Sequence, residues 1–166
     1  MALRLVTTLP SEKVDGVLTE IESATAAGNE LTPRSREVLQ ERLAAGHLLM
    51  VFNSDELIGW ALIEPLTKRC NELGMAYVKP EHRGSGAFDL ITAEMYRGNK
   101  TLVFATYKPE LQAFAIREFG FRASSPGEVI KVSRGKFLLK RLDRASRASI
   151  RGRMQTTDPL YAILER

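Results

Sequence analysis

A chain of 166 residues with 44% hydrophobic and 27% charged side chains is long enough for one domain with a substantial core and too short for two ordinary ones. That balance excludes a disordered or fibrous chain, no apolar run reaches the length of a membrane span, and a lone cysteine, Cys70, excludes an intrachain disulfide. The net charge of +4 is unevenly spread: residues 131–166 carry +7 and residues 1–130 carry −3. The opening MALRLVTTLPSEK meets acid and Pro too early for a signal peptide, so a cytoplasmic protein without a membrane partner is expected.

In chain order, Leu3–Thr7 predicts a short strand. Ser11 is placed as an N-cap before Val14, Val17, Leu18, Ile21 and Ala24 at helical spacing, and Gly28 closes that helix. Thr32-Pro33 opens a second helix through Val38, Leu39, Leu43 and Ala44, ended by Gly46. His47–Asn53 and Glu56–Pro65 read as strands joined by a tight turn at Asn53-Ser54-Asp55. A strand over Asn71–Val78 ends at Pro80, a helix runs over Gly86–Tyr96, and Lys100–Tyr107 is an apolar strand behind it. These three form a βαβ unit whose crossover should be right-handed. A fourth helix, Leu111–Phe119, stops at Gly120. EVIKVSRGKFLLKRL predicts a closing hairpin with Gly135 in its turn, and Asp158-Pro159 predicts the start of a short C-terminal helix. The expected organisation is one α/β domain with a mixed sheet over residues 1–142 and a basic C-terminal extension over 143–166.

The stretch VKPEHRGSGAFDLI, from Val78 to Ile91, is the richest in chemistry. Glycines between a strand and a helix let bare backbone N–H groups approach a phosphate, and the helix N-terminus adds a favourable dipole. A surface turn with no ligand is the bland alternative. Together with AFAIREFGF further along, this stretch resembles the GNAT superfamily of acyl-CoA-dependent N-acyltransferases, and the resemblance covers most of Leu3–Leu142. It implies a mixed, mostly antiparallel sheet of six to seven strands flanked by about four helices. It also implies that Arg83, Gly84, Ser85, Gly86, Ala87 and Phe88 occupy the signature Q/R-x-x-G-x-G/A that grips the diphosphate of coenzyme A. Phe88 departs from the pattern, because a large side chain at the sixth position crowds the backbone approach. Either its ring turns into the core while its N–H reaches phosphate, or Ala87 takes the small-residue role. By the same resemblance, backbone groups of Ala76, Tyr77 and Val78 would bond the pantetheine arm.

Acyl transfer to an amine needs a base to collect the proton lost as the tetrahedral intermediate forms. By the period of two, Cys70, Glu72, Gly74, Ala76 and Val78 share one face of their strand. Glu72 lies 11 residues before Arg83, where relatives carry a glutamate base; the alternative is an exposed carboxylate pairing with Lys68 or Arg69. Glu64 is a weaker rival. Cys70 could be acylated, although a lone strand cysteine is more often inert. His82 could add a donor to phosphate or remain solvated. The tyrosine acid that the family places four residues before the glycine of its Gly-Phe falls on Ile116, so Tyr107 is the substitute candidate. The helix-opening asparagine is likewise replaced by Lys108-Pro109-Glu110. Trp60, Phe52, Phe104, Phe114 and Phe119 are assigned to packing, with a substrate role for Trp60 as the second choice.

Arg144, Arg147 and Arg151 would form one positive stripe if helical, open to RNA, an acidic protein or anionic lipid; the lack of interleaved aromatics argues against nucleic acid. Leu160, Tyr161, Ile163 and Leu164 need burial on this body or in a homodimer. The resemblance thus implies transfer of an acetyl group from acetyl-CoA to a small-molecule or peptide amine, with no metal. The alternative is an inactive acyl-CoA-binding or interaction module whose basic tail meets an acidic partner.

Overall fold

The computed structural model describes residues 2–27, 34–97, 101–141 and 158–165. The chain order is β1 (Leu3–Val6), α1 (Ser11–Ala27), α2 (Arg36–Ala44), β2 (Leu48–Asn53), β3 (Glu56–Thr67), β4 (Cys70–Val78), α3 (Ala87–Arg97), β5 (Thr101–Thr106), α4 (Pro109–Phe119), β6 (Arg122–Ser124), α5 (Pro126–Val132), α6 (Lys136–Arg141) and β7 (Leu160–Leu164). A single 3₁₀ turn, Pro80–His82, precedes α3. The strands follow the order β1-β2-β3-β4-β5-β7-β6, with β4–β5 parallel and β1–β2, β2–β3, β5–β7 and β6–β7 antiparallel. The expected mixed, mostly antiparallel sheet is present, with six helices among the described residues where about four were expected. Among the described residues no helix is long and apolar enough to cross a membrane.

Two compact units make up the chain, residues 1–64 with 74–97 and residues 65–73 with 98–166. In the first, α1 contributes Val17, Leu18 and Ile21, and α2 contributes Leu39 and Leu43, to a core closed by Leu48, Met50, Trp60, Leu62 and Met75. Their i, i+3, i+4 spacing gives each helix one apolar stripe, and alternate residues of β2 and β3 meet it. The other alternating set of β2, Leu49 and Val51, is buried as well, and α3 packs against β2 and β1. The second unit is built around Leu66, Cys70, Val103, Val129, Phe137 and Ile163.

In the first unit, Ser11 is the first residue of α1 rather than its N-cap, and α2 begins at Arg36 behind Ser35 rather than at Thr32-Pro33. Two larger expectations fail in the second unit. The segment expected as a closing hairpin is instead the helix pair α5–α6. Pro126 sits in the first turn of α5, and Ser125 and Glu128 form a reciprocal capping box, the Ser125 Oγ accepting from the Glu128 N–H at 3.2 Å. The Ser125 N–H, the Ser124 hydroxyl and Arg122 all bond the Glu128 carboxylate and hold its pKa down at about 2. Gly135 does lie in the turn, but between helices.

The second failure is at the C-terminus, where the expected short helix is β7, paired with β5 from Leu102↔Leu164 to Thr106↔Leu160 and with β6 from Arg122↔Ile163 to Ser124↔Tyr161. LYAIL is an unbroken apolar run, which a strand buried on both faces needs and a one-sided surface helix does not. Ala162, Ile163 and Leu164 are buried within this sheet, so their burial does not call for a second subunit. The basic stripe Arg144, Arg147 and Arg151 lies outside the described residues, as do Gly28 and Thr32-Pro33.

Candidate active site

Pro80 ends β4 and turns the chain through one 3₁₀ turn into Arg83. Gly84 and Gly86 then adopt φ of +84° and +88°, the left-handed region that side-chain-bearing residues enter only under strain. The Ser85 N–H donates to the His82 carbonyl at 3.2 Å, and the Leu90 N–H donates to Gly86 as the first bond of α3. The amides of Ala87, Phe88 and Asp89 therefore form the N-terminal turn of α3, where the helix presents its N–H groups outward. Ala87 is 1% exposed, its methyl packed inward, whereas Phe88 is half-buried at the second helical position. The Phe88 carbonyl also accepts the Thr92 hydroxyl at 2.8 Å.

The turn is clamped from below. Glu56 at the start of β3 meets His82 Nε2 at 3.2 Å and Lys79 Nζ at 3.3 Å, and Lys79 also reaches Glu20 of α1 at 2.7 Å. The His82 and then the Lys79 hydrogen bonds hold the Glu56 carboxyl below its usual range. His82 is thus engaged with a carboxylate rather than left as a solvated loop side chain. Glu56, Glu81 and His82 bring one ligand atom each within 4.8 Å of one another, but Lys79 on the same Glu56 oxygen opposes a cation there.

On β4, the ladder to β5 runs only from Cys70↔Thr101 to Glu72↔Val103. Ala76, Tyr77 and Val78 lie beyond it, with no β5 partner in that ladder. Gly59 of β3 faces them closely: a Cβ there would stand 3.0 Å from the Tyr77 carbonyl and 3.1 Å from Val78 Cγ2. The Tyr77 ring stacks at 4.7 Å on Trp60, which is fully buried, so both aromatic side chains belong to the core. A substrate-facing role for Trp60 is thereby excluded, and its Nε1 has no hydrogen-bond partner among the described residues.

Glu72 is 6% exposed, which rules out the solvated carboxylate on the strand end. Burial, and then the charge of Glu72, push the Cys70 thiol up to about 11. Cys70 stays protonated near neutrality and is a core side chain, not a nucleophile. Tyr107 follows β5 directly and is half-buried. Residues Ala76–Val78 and Arg83–Phe88 belong to the first unit, and Glu72 and Tyr107 to the second.

Sequence reasoning placed Glu64 as a rival base and missed its partners. Glu64 is 2% exposed, and its Oε2 accepts from Arg42 Nε at 2.8 Å, while Arg34 Nε stands 3.9 Å from Oε1. Burial pulls the Arg42 pKa down, but the hydrogen bond and charge of Glu64 outweigh it and raise it. A carboxylate so paired acts as an electrostatic anchor between β3 and α2. Gly74 lies directly across from it: a Cβ there would lie 2.9 Å from Glu64 Cγ.

A search of curated protein sequences returns no match. Solved structures do match in fold. Arabidopsis thaliana Naa50 in complex with the bisubstrate analogue CoA-Ac-MVNAL superposes with a TM-score of 0.66 at 9% identity, covering 100% of both chains. A Mycobacterium tuberculosis protein in complex with CoA and NLQ gives 0.62 at 14% identity, covering 100% of this chain and 99% of that one. The N-acetylglutamate synthase of Neisseria gonorrhoeae, complexed with coenzyme A and N-acetyl-glutamate, gives 0.60 at 15% identity. This chain is covered over 98% there but spans only 35% of that synthase. The acetyltransferase (GNAT) family profile matches residues 17–100, just over half of the sequence and the part that contains the glycine turn and the strand before it. By that match, on a strand–turn–helix of the expected form, the chain belongs to the GNAT family of acetyltransferases.

Proposed function

We propose that the protein transfers an acetyl group from acetyl-CoA to a primary amine by direct attack. The observation that carries this reading is the pair of left-handed glycines, Gly84 and Gly86, which open the N-terminus of α3 directly after β4. The turn and helix start at Arg83–Phe88 would hold the diphosphate, and the β4 edge at Ala76, Tyr77 and Val78 would bond the pantetheine arm. The neutral amine nitrogen attacks the thioester carbonyl and forms the C–N bond. The tetrahedral intermediate then collapses with cleavage of C–S. Glu72 takes the proton released from nitrogen, and Tyr107 or water returns one to the departing thiolate, giving amide and free CoA.

Structures of the same fold support both halves: CoA is bound in the two bacterial ones named above, with N-acetyl-glutamate in one and NLQ in the other, and the Arabidopsis one holds the bisubstrate analogue CoA-Ac-MVNAL. A second reading, an acyl-CoA-binding module without turnover, draws on Ile116, which stands on α4 where the family acid is expected and is 36% exposed. The two separate in an assay of free thiol released from acetyl-CoA on addition of primary amines. Amine-dependent release supports transfer; acyl-CoA binding with no release for any amine supports the module.

A further inference from the structure

We propose that Arg34 receives a carboxylate of the acceptor, so that the amine acetylated here belongs to an amino acid or a similar small molecule carrying both groups. The inference rests on the acetyltransferase reading and names its acceptor class. A guanidinium carries five N–H donors in a planar fork and keeps its charge at any physiological pH. The Arg34 side chain is only 23% exposed, yet its one recorded interaction is the 3.9 Å approach to Glu64, beyond hydrogen-bond distance. Among the described residues no group accepts a hydrogen bond from it.

Glu64 does not need Arg34. Arg42 already meets Glu64 at 2.8 Å. Two guanidiniums around one buried carboxylate leave a positive charge in excess, and Glu41, the other partner of Arg42, is 68% exposed and screened by water. The excess sits at Arg34, partly withdrawn from solvent, where an anion is held most strongly.

Its position gives the charge a use. Arg34 Nη2 lies 3.8 Å from where a Gly74 Cβ would be, so the missing side chain leaves the guanidinium facing β4 directly. Gly74 lies two residues after Glu72 and two before Ala76, on the strand that carries both the proposed base and the proposed pantetheine edge. A planar fork at that point suits bidentate binding of a carboxylate and repels a purely cationic amine.

The test is calorimetric titration of the full chain, in excess CoA, with a panel of N-acetyl-L-amino acids, repeated with the methyl esters of those that bind. At least one acid is expected to bind. Its ester, and the same acid with Arg34→Gln, should each bind roughly tenfold or more weakly, as loss of a charge-assisted hydrogen bond requires. Arg34→Lys should recover part of the affinity, because it keeps the charge and loses the fork. The variants should melt with the wild type, since Arg34 has no hydrogen bond to lose. An empty panel, or equal binding by acid, ester and Arg34→Gln, overturns the inference. Amine-dependent thiol release is scored separately. Turnover of amines lacking a carboxylate, equal in wild type and Arg34→Gln, overturns this inference and leaves the acetyltransferase reading standing. Arg34-dependent binding of the acids without turnover of any amine overturns the acetyltransferase reading, and the acceptor role with it, and leaves Arg34 only as a carboxylate-binding group.

Discussion

Glu72→Gln is expected to lower amine-dependent turnover of acetyl-CoA by about 10²–10⁴-fold, the usual contribution of a positioned general base. The affinity for acetyl-CoA should stay within a factor of about two, because the proposed cradle and pantetheine edge are backbone groups of other residues. Gln keeps the volume and one acceptor of the side chain, so the buried position is disturbed little. Raising the pH should recover part of the rate, since more of the amine is then already neutral. A variant as active as wild type would remove Glu72 from the mechanism. Parallel loss of rate and acetyl-CoA affinity would assign it to structure instead.

Arg42→Ala is the largest stability effect expected in the first unit. It removes the 2.8 Å hydrogen-bond donor of a carboxylate that is 2% exposed and leaves Arg34, at 3.9 Å, too far away to replace that bond. Breaking one side of a buried ion pair costs about 3–5 kcal/mol, which for a chain of this length is a drop on the order of 10 °C in melting temperature. Adding Glu64→Gln to that background should recover part of the loss, because the residue left behind is then neutral. An unchanged melting temperature for Arg42→Ala would show that Glu64 is held by other groups. The two variants are therefore expected to differ: loss of Arg42 should lower stability, and loss of Arg34 should leave the melting temperature unchanged.

The first unit was legible in the sequence because its signals are local and redundant. The spacing of Val14, Val17, Leu18 and Ile21 specifies α1, and the turn at Ser54-Asp55 specifies the β2–β3 hairpin. The glycine turn was legible for the same reason, since only a backbone with positive φ needs glycine at 84 and 86. In the second unit the local signals conflict with the packing. Val129, Ile130 and Val132 favour a strand by side-chain type, while the Ser125–Glu128 box and Pro126 favour a helix, and the cap wins. Asp158-Pro159 imitates a helix start, but Leu160–Leu164 fills a central place between β5 and β6 that no neighbouring residue in the sequence reveals.

The site divides in the same way. The glycine turn within Arg83–Phe88 was visible in the motif, because backbone conformation requires those glycines, while the roles proposed for it and for Ala76–Val78 follow from the family resemblance. Arg34 and Arg42 could not be located, because nothing in the sequence places them beside Glu64, 30 and 22 residues away. Phe88 was visible as a departure, and the structure places it half-buried on the first turn of α3 beside the buried Ala87.

The most direct measurement is calorimetric titration of the full chain with acetyl-CoA beside its 3′-dephospho analogue. The account predicts micromolar binding, on the order of 8 kcal/mol, with the analogue retaining most of it because the diphosphate contacts remain. No heat from well-folded protein at acetyl-CoA concentrations up to about 1 mM, the range of roughly 4 kcal/mol, would contradict it. The glycine turn would then be a turn alone.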